Sequence, residues 1–192
     1  EAIIADCGFV ARSFAGDRPV PPPITLRSRR ERDAILTAIR EARPDATLTL
    51  GALSEHAILT RGVGDPRRLP GFDRGDFVVM DEASQLVAEA VGAKSGERVL
   101  DACAGHGNKT WLLTHEVGPR GTVDAADLHA PKLKQLTATL RGKNEGGRAF
   151  AVDWSKGRGE VPDGYDRVLV DAPCSGTGTM RRRPEIALRR TA

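Results

Sequence analysis

The sequence predicts an α/β fold built on a parallel sheet, with a smaller α+β segment ahead of it. Two observations carry this. In the second half, short apolar runs alternate with stretches of helical length, and strands separated by helices imply right-handed crossovers onto a parallel sheet. The same runs end in or just before carboxylates, at Asp101, Asp127, Asp153 and Asp171. Open α/β sheets bind ligands at that end of their strands.

The elements follow in order. Ile24-Thr25-Leu26-Arg27 reads as a strand. The stretch from about Glu31 to Ala42 reads as an amphipathic helix with Ile35, Leu36 and Ile39 on one face, closed by Pro44. His56 to Thr60 is a second strand, and Gly62, Gly64, Pro66, Pro70 and Gly71 then mark loop. No aromatic RNA-binding signature interrupts this part. Beyond it, Arg98 to Asp101 is a strand and Lys109 to about Glu116 a helix. Thr122 to Asp127 is the next strand, followed by a helix from Pro131 to Arg141, with proline at a tolerated first position. Arg148 to Asp153 and Asp166 to Asp171 complete the series.

Composition narrows the class. A chain of 192 residues holds one ordinary domain or two small ones, and 40% apolar content is enough for a core. Three cysteines without a CxxC pair and four scattered histidines argue against a disulfide scaffold or a metal site. No apolar run reaches transmembrane length and no secretory signal opens the chain, so a reducing, cytoplasmic setting without a membrane partner is expected. The first residue is Glu1, which suggests a start inside a longer protein. Oligomeric state is not legible. Charge is uneven: residues 1–90 carry 12 basic and 14 acidic groups, and residues 91–192 carry 17 and 12. Much of the excess sits at Arg181, Arg182, Arg183, Arg189 and Arg190, a cluster suited to phosphate contacts or to a solvated tail.

Two turns carry chemistry. After Asp101, Gly105 and Gly107 precede a helix, an arrangement that aims backbone N–H groups at a ligand. A phosphate-binding P-loop needs Gly-Lys adjacent, but Asn108 intervenes; a dinucleotide fingerprint needs a third glycine where Thr110 stands. Asparagine is the next best residue after glycine for the left-handed region, which Asn108 is expected to adopt. After Asp171, the run Ala172-Pro173-Cys174-Ser175-Gly176-Thr177-Gly178-Thr179-Met180 brings a thiol onto a glycine-punctuated loop ahead of the arginines.

Asp171 to Gly176, continued by Gly178-Thr179 and Arg181-Arg182-Arg183-Pro184-Glu185, resembles motif IV of the RNA (cytosine-5) methyltransferases. Asp101-Ala102-Cys103-Ala104-Gly105-His106-Gly107-Asn108-Lys109-Thr110 resembles their motif I, with His106 in place of the usual proline and Asn108 in place of a glycine. Pro22 to Arg27, Leu69 to Phe72 and Gly75 to Gln85 are similar to further landmarks, in order over nearly the whole chain. The resemblance implies a Rossmann-like methyltransferase fold, S-adenosylmethionine as cofactor, and rRNA or tRNA as substrate. It implies a cofactor pocket formed by Cys103, Ala104, Gly105, His106, Gly107, Asn108, Lys109, Asp127, Asp153 and Asp171. Asp127 would accept the ribose hydroxyls, Asp153 would face the adenine amino group, and Lys109 would neutralise the methionine carboxylate. Asp171 and Cys174 map to catalytic positions, Cys174 to product release, and Arg181, Arg182 and Arg183 to RNA contacts. Cys7 fits no motif and reads as structural.

The resemblance also sets the expected organisation: an RNA-side α+β subdomain over residues 1–75, and the first part of the methyltransferase domain over residues 76–192. The family's nucleophile lies in a later Thr-Cys motif, and none follows motif IV before Ala192. Three readings stay open: a fragment inactive alone, a degenerate relative that binds RNA without turnover, or Cys174 itself as nucleophile. The fragment is the expectation, with the fourth strand left as a sheet edge.

Overall fold

The computed structural model describes residues 22–140, 147–176, 179, 182, 183 and 186. Ile24–Ala172 forms one compact unit; Pro173–Ala192 groups with Glu1–Pro23 in a second. The larger unit holds two sheets of four strands each.

The first sheet is antiparallel. It comprises β1 (Ile24–Ser28), β2 (Thr47–Leu50), β3 (Ala57–Arg61) and β4 (Phe77–Val79), in the order β2-β3-β1-β4. Helix α1 (Arg32–Ala42) lies between β1 and β2 in the chain and buries Ile35, Leu36 and Ile39. These pack with Leu26, Ile58 and Phe77 in a closed apolar core. Strands β2 and β4 were not legible in the sequence. β2 is largely exposed, so burial imposes no two-residue alternation on it, and β4 has only three residues. Because β4 pairs with β1, this sheet runs past the boundary expected at residue 75.

The second sheet is parallel, as expected. Its strands are β5 (Arg98–Asp101), β6 (Thr122–Asp127), β7 (Ala149–Ala151) and β8 (Arg167–Leu169), in the order β7-β6-β5-β8. Helix α2 (Glu82–Glu89) precedes β5; α3 (Asn108–Val117) and α4 (Ala130–Leu140) make the crossovers. Val99 and Val123 pack on Leu113 and Val117 of α3. Leu100 and Ala126 face the other way, onto Val152 and Val161. β8 pairs only with β5 among the described residues and leaves Val168 and Val170 exposed, so it forms the sheet edge. Among the described residues no helix is long and apolar enough to cross a membrane.

Helix α2 joins the two sheets through a buried polar knot. The Arg27 guanidinium, on β1, pairs with Glu89 and lies within 3.5 Å of both Gln85 Oε1 and Ser54 Oγ. The Gln85 amide donates to the Met80 carbonyl at 2.9 Å. Breaking one partner of such a group leaves a charge without compensation in a poorly solvated place. Arg27→Met should therefore cost roughly 3 kcal/mol of unfolding free energy in urea denaturation. The exposed Arg67–Asp65 pair should show no measurable change on Arg67→Ala, because water screens it.

Candidate functional site

The carboxyl ends of β5, β6 and β8 lie side by side, and the glycine turn crosses them. Asp101 closes β5 and is buried; its Oδ2 accepts from Thr110 Oγ1 at 2.7 Å. Thr110 thus replaces the dinucleotide-type glycine with a hydroxyl that ties α3 to the strand. The Ala102 amide donates to Leu169 O, and the Ala104 amide to Ala126 O. The turn is therefore stitched to the strands on both sides of β5.

Gly105 and Gly107 both take positive φ, 55° and 83°. They need glycine for different reasons. A Cβ on Gly107 would meet Leu136 Cδ1 at 2.0 Å, so this glycine lets α4 pack against the start of α3. A Cβ on Gly105 would meet nothing within 4 Å, so this glycine faces open space. Its N–H donates to Asp127 Oδ2 at 2.8 Å, while Asp127 Oδ1 accepts from the His129 amide at 2.8 Å. Asn108 does not adopt the left-handed conformation expected of it. Gly107 supplies the positive φ at the cap, and Asn108 is already the first residue of α3, where right-handed geometry is required.

Lys109 forms an ion pair with Asp171, which lies two residues past β8. Asp153 lies two residues past β7 and caps a short 3₁₀ turn, Trp154–Lys156. It accepts from the Ser155 amide and hydroxyl and sits 3.0 Å from Lys156 Nζ. The Ser155 hydroxyl, then Lys156, hold its carboxyl below the ordinary range. Trp154, which sequence reasoning passed over, donates its indole N–H to Ala102 O at 2.7 Å and so braces the turn from the β7 side. Its only sequence signal was a large aromatic directly after a strand-end acid.

The electrostatics are one-sided. Burial, then the charges of Asp101, Asp127 and Asp171, raises the pKa of the half-buried Cys103 thiol, which stays protonated at neutral pH. Burial also pushes Asp101 up to about 6, outweighing the Thr110 hydrogen bond and the charge of Lys109. Three carboxyls thus bear on one spot, a setting that favours a cationic ligand. Ala104 is nearly buried behind the turn, and His106 is exposed on it.

The smaller unit carries the remaining expected residues. Cys174 is a free, exposed thiol. Gly176 takes φ 74° and its carbonyl accepts from the Thr179 amide and hydroxyl, folding a tight turn. The Arg182 and Arg183 amides donate to Thr179 O, and Arg182 Nη1 donates to Pro23 O at 3.1 Å. Arg181, Arg189, Arg190 and Cys7 lie outside the described residues.

A family model described as 16S rRNA methyltransferase RsmB/F matches residues 88–192, more than half of the chain. The chain belongs to that family. Curated RsmB/F-type relatives include the ribosomal RNA small subunit methyltransferase B of Pseudomonas syringae, 38% identical over 175 residues. That match covers 88% of this chain and 38% of the relative, so the chain spans about two fifths of the relative's length. Among solved structures, PH0851 superimposes with a TM-score of 0.82 at 21% identity, over 98% of this chain and 44% of the other. NSun6 from Pyrococcus horikoshii with SFG gives 0.71 at 11% identity, over 90% of this chain and 68% of the other. These two likenesses show the fold: a parallel α/β sheet preceded by a small α+β part.

The raised Asp101 carboxyl makes a prediction for this family member. A native pKa of about 6 against an ordinary value of about 3.9 means the folded form takes up a proton that the unfolded form does not. The resulting stability is fully present below about pH 4 and is lost as pH rises through about 6. Asp101→Asn removes this term. The stability difference between Asp101→Asn and the wild type should therefore shift by about 2–3 kcal/mol between pH 4 and 7.5 in chemical denaturation, in favour of the variant at the higher pH.

Proposed function

We propose that the chain forms the cofactor-binding part of an S-adenosylmethionine-dependent RNA methyltransferase that acts on carbon 5 of cytosine in ribosomal or transfer RNA. One observation carries this reading: Gly105, in a left-handed turn, faces open space beside Asp127, with Asp101 and Asp171 close by. A ligand carrying a ribose and two cationic centres suits such a place. The acids complement sulfonium and ammonium charge, and the turn supplies backbone N–H groups without side-chain obstruction.

When bound, S-adenosylmethionine supplies an electrophilic methyl group on a positive sulfur. Cys103, Ala104, Gly105, His106, Gly107 and Asn108 form the wall of its pocket through their backbone. Asp127 holds the ribose hydroxyls, keeping its bond to Gly105 N–H as the fixed edge of the cradle. Asp153 faces the adenine amino group from the cap of its 3₁₀ turn. Lys109 would pair with the methionine carboxylate in place of Asp171, and Asp171 would then be available to hold the amino edge of the cytosine. Cys174, three residues further along, handles the proton at product release, and Arg181, Arg182 and Arg183 take RNA phosphates. The α+β part, whose described sheet runs from Ile24 to Val79, serves the RNA side. Its RNA contacts, if stacking is used, come from outside an aromatic sheet signature, because its strands carry none.

Calorimetry with S-adenosylhomocysteine tests the pocket. Asp127→Ala should weaken binding about 10- to 100-fold, the worth of charge-assisted hydrogen bonds; unchanged affinity would remove the ribose role. Gly105→Ala should abolish most binding, because it strains a left-handed backbone position and fills the space beside Asp127; circular dichroism checks that the sheet survives, since the Cβ itself meets nothing within 4 Å. The reaction itself is read by 5-fluorocytosine RNA. Covalent capture on that RNA, and none on 5-fluorouracil RNA, is expected of a protein that carries a Thr-Cys nucleophile motif together with this chain, and no capture is expected of residues 1–192 alone, which contain no such motif. Methyl transfer to another ring atom would overturn the cytosine-5 assignment.

A further inference from the structure

A hollow of about 690 Å³ opens between the end of β1, the start of α1 and the middle of α3. None of the residues assigned to the cofactor pocket lines it. Among the described residues, three features at its wall have donor capacity that no acidic or capping group takes up. The Ser28 side chain is 4% exposed, and its hydroxyl has no hydrogen-bond partner among the described residues. A hydroxyl shut away from water without a partner costs free energy unless something else satisfies it. The Arg29 guanidinium lies 3.7 Å above the Trp111 ring and reaches the Gly75 carbonyl at 3.4 Å, with no carboxylate paired to it among the described residues. Burial lowers its pKa, the mark of a cation held partly out of water. Helix α1 starts at the same wall, and its N-cap residue, Glu31, offers no side-chain bond to the first-turn N–H groups.

Among the other charged groups of the hollow, Arg32 donates to the backbone carbonyl of Glu55. Arg27 is paired with Glu89, and Glu116 lies 3.9 Å from it. Arg30 is paired with Asp76 at 2.9 Å, and Glu55 lies 3.4 Å from His56. Glu31 and Asp33 are exposed to solvent, where water and salt screen them. His115, one helical turn beyond Trp111 on α3, adds a second imidazole. What stands out is the Arg29 guanidinium on its aromatic platform, one orphaned hydroxyl donor and one uncapped helix start. All three are donors, and all suit the same acceptor.

We infer that this hollow binds a phosphate group, supplied by a nucleotide of the RNA strand, with the Arg29 guanidinium and Ser28 hydroxyl as its principal donors. The inference rests on the RNA substrate proposed above, and it deepens that reading by placing an RNA contact away from the cofactor turn. Bases of single-stranded RNA readily stack on Arg guanidinium planes, so a phosphate held here can bring its base against Arg29. The shared chemistry is the phosphate; free phosphate and free nucleotides are the other sources.

The test uses the intact protein, with Arg29→Gln and Ser28→Ala as variants. A fluorescently labelled hairpin of 16S ribosomal RNA is titrated by anisotropy at several salt concentrations. Arg29→Gln should lower RNA affinity roughly tenfold and reduce the salt slope by about one. Affinity for S-adenosylhomocysteine should not move in either variant. Ser28→Ala should weaken RNA binding several-fold while its urea midpoint stays at or above that of the wild type, because an orphaned hydroxyl is removed. Unchanged RNA affinity and slope in Arg29→Gln, or a clear loss of stability in Ser28→Ala, would overturn the inference. If the wild type binds no RNA, the proposed substrate fails, and the hollow is judged separately with inorganic phosphate and CMP. A shift of the Trp111 indole NMR signal by either, lost in Arg29→Gln, supports a phosphate site filled from solution, and no shift overturns it.

Discussion

The bond from the Gly105 N–H to the Asp127 carboxylate is the constraint around which the candidate site is arranged. It joins the turn after one strand to the end of the next, which is possible only because β5 and β6 are parallel neighbours in register. The turn must leave β5, open toward the strand ends and enter α3 within six residues. Two glycines with positive φ let the backbone do this, one to admit Leu136 and the other to keep space clear. On the opposite side, Asp101 and Thr110 lock the helix to the strand it came from. The open space beside Gly105 is therefore held from both flanks.

Helix α3 is the common wall of two different environments. At its start, carboxyls from three strand ends crowd one thiol and make the surroundings negative. Further along, Trp111 supports the Arg29 guanidinium in the hollow proposed to take a phosphate. Opposite charge preferences on one helix, a turn or so apart, match the cationic cofactor and the RNA phosphate of the function proposed above. Arg27, which ties the small sheet to α2, fixes the β1 end against the parallel sheet, so the hollow keeps its shape.

Legibility varied with the physical source of the signal. β5 and β6 were readable because Val99, Leu100, Val123 and Ala126 are buried, whereas β7 and β8, less buried, were readable only as short apolar runs ahead of an acid. α1 was readable from Ile35, Leu36 and Ile39, which a single helical stripe explains. β2 and β4 were not, since an exposed strand and a three-residue strand carry almost no periodicity. α2 was missed because its eight residues bury only Gln85 and Ala88, one of them polar. Asn108 misled for a related reason: its left-handed propensity is real, but the helix start had already passed to Gly107.

By itself, the sequence determined the strand-end acids, the glycine turn, the thiol loop and the family they resemble. Each of these is a local pattern of residue type and spacing. Only the tertiary structure decided which groups meet. Lys109 is held by Asp171, sixty-two positions away. Trp154 braces Ala102, and Arg29 lies on Trp111 while Ser28 is left without a partner. Such pairings depend on strand order and helix packing, which bring distant segments within bonding distance, and no local pattern encodes them.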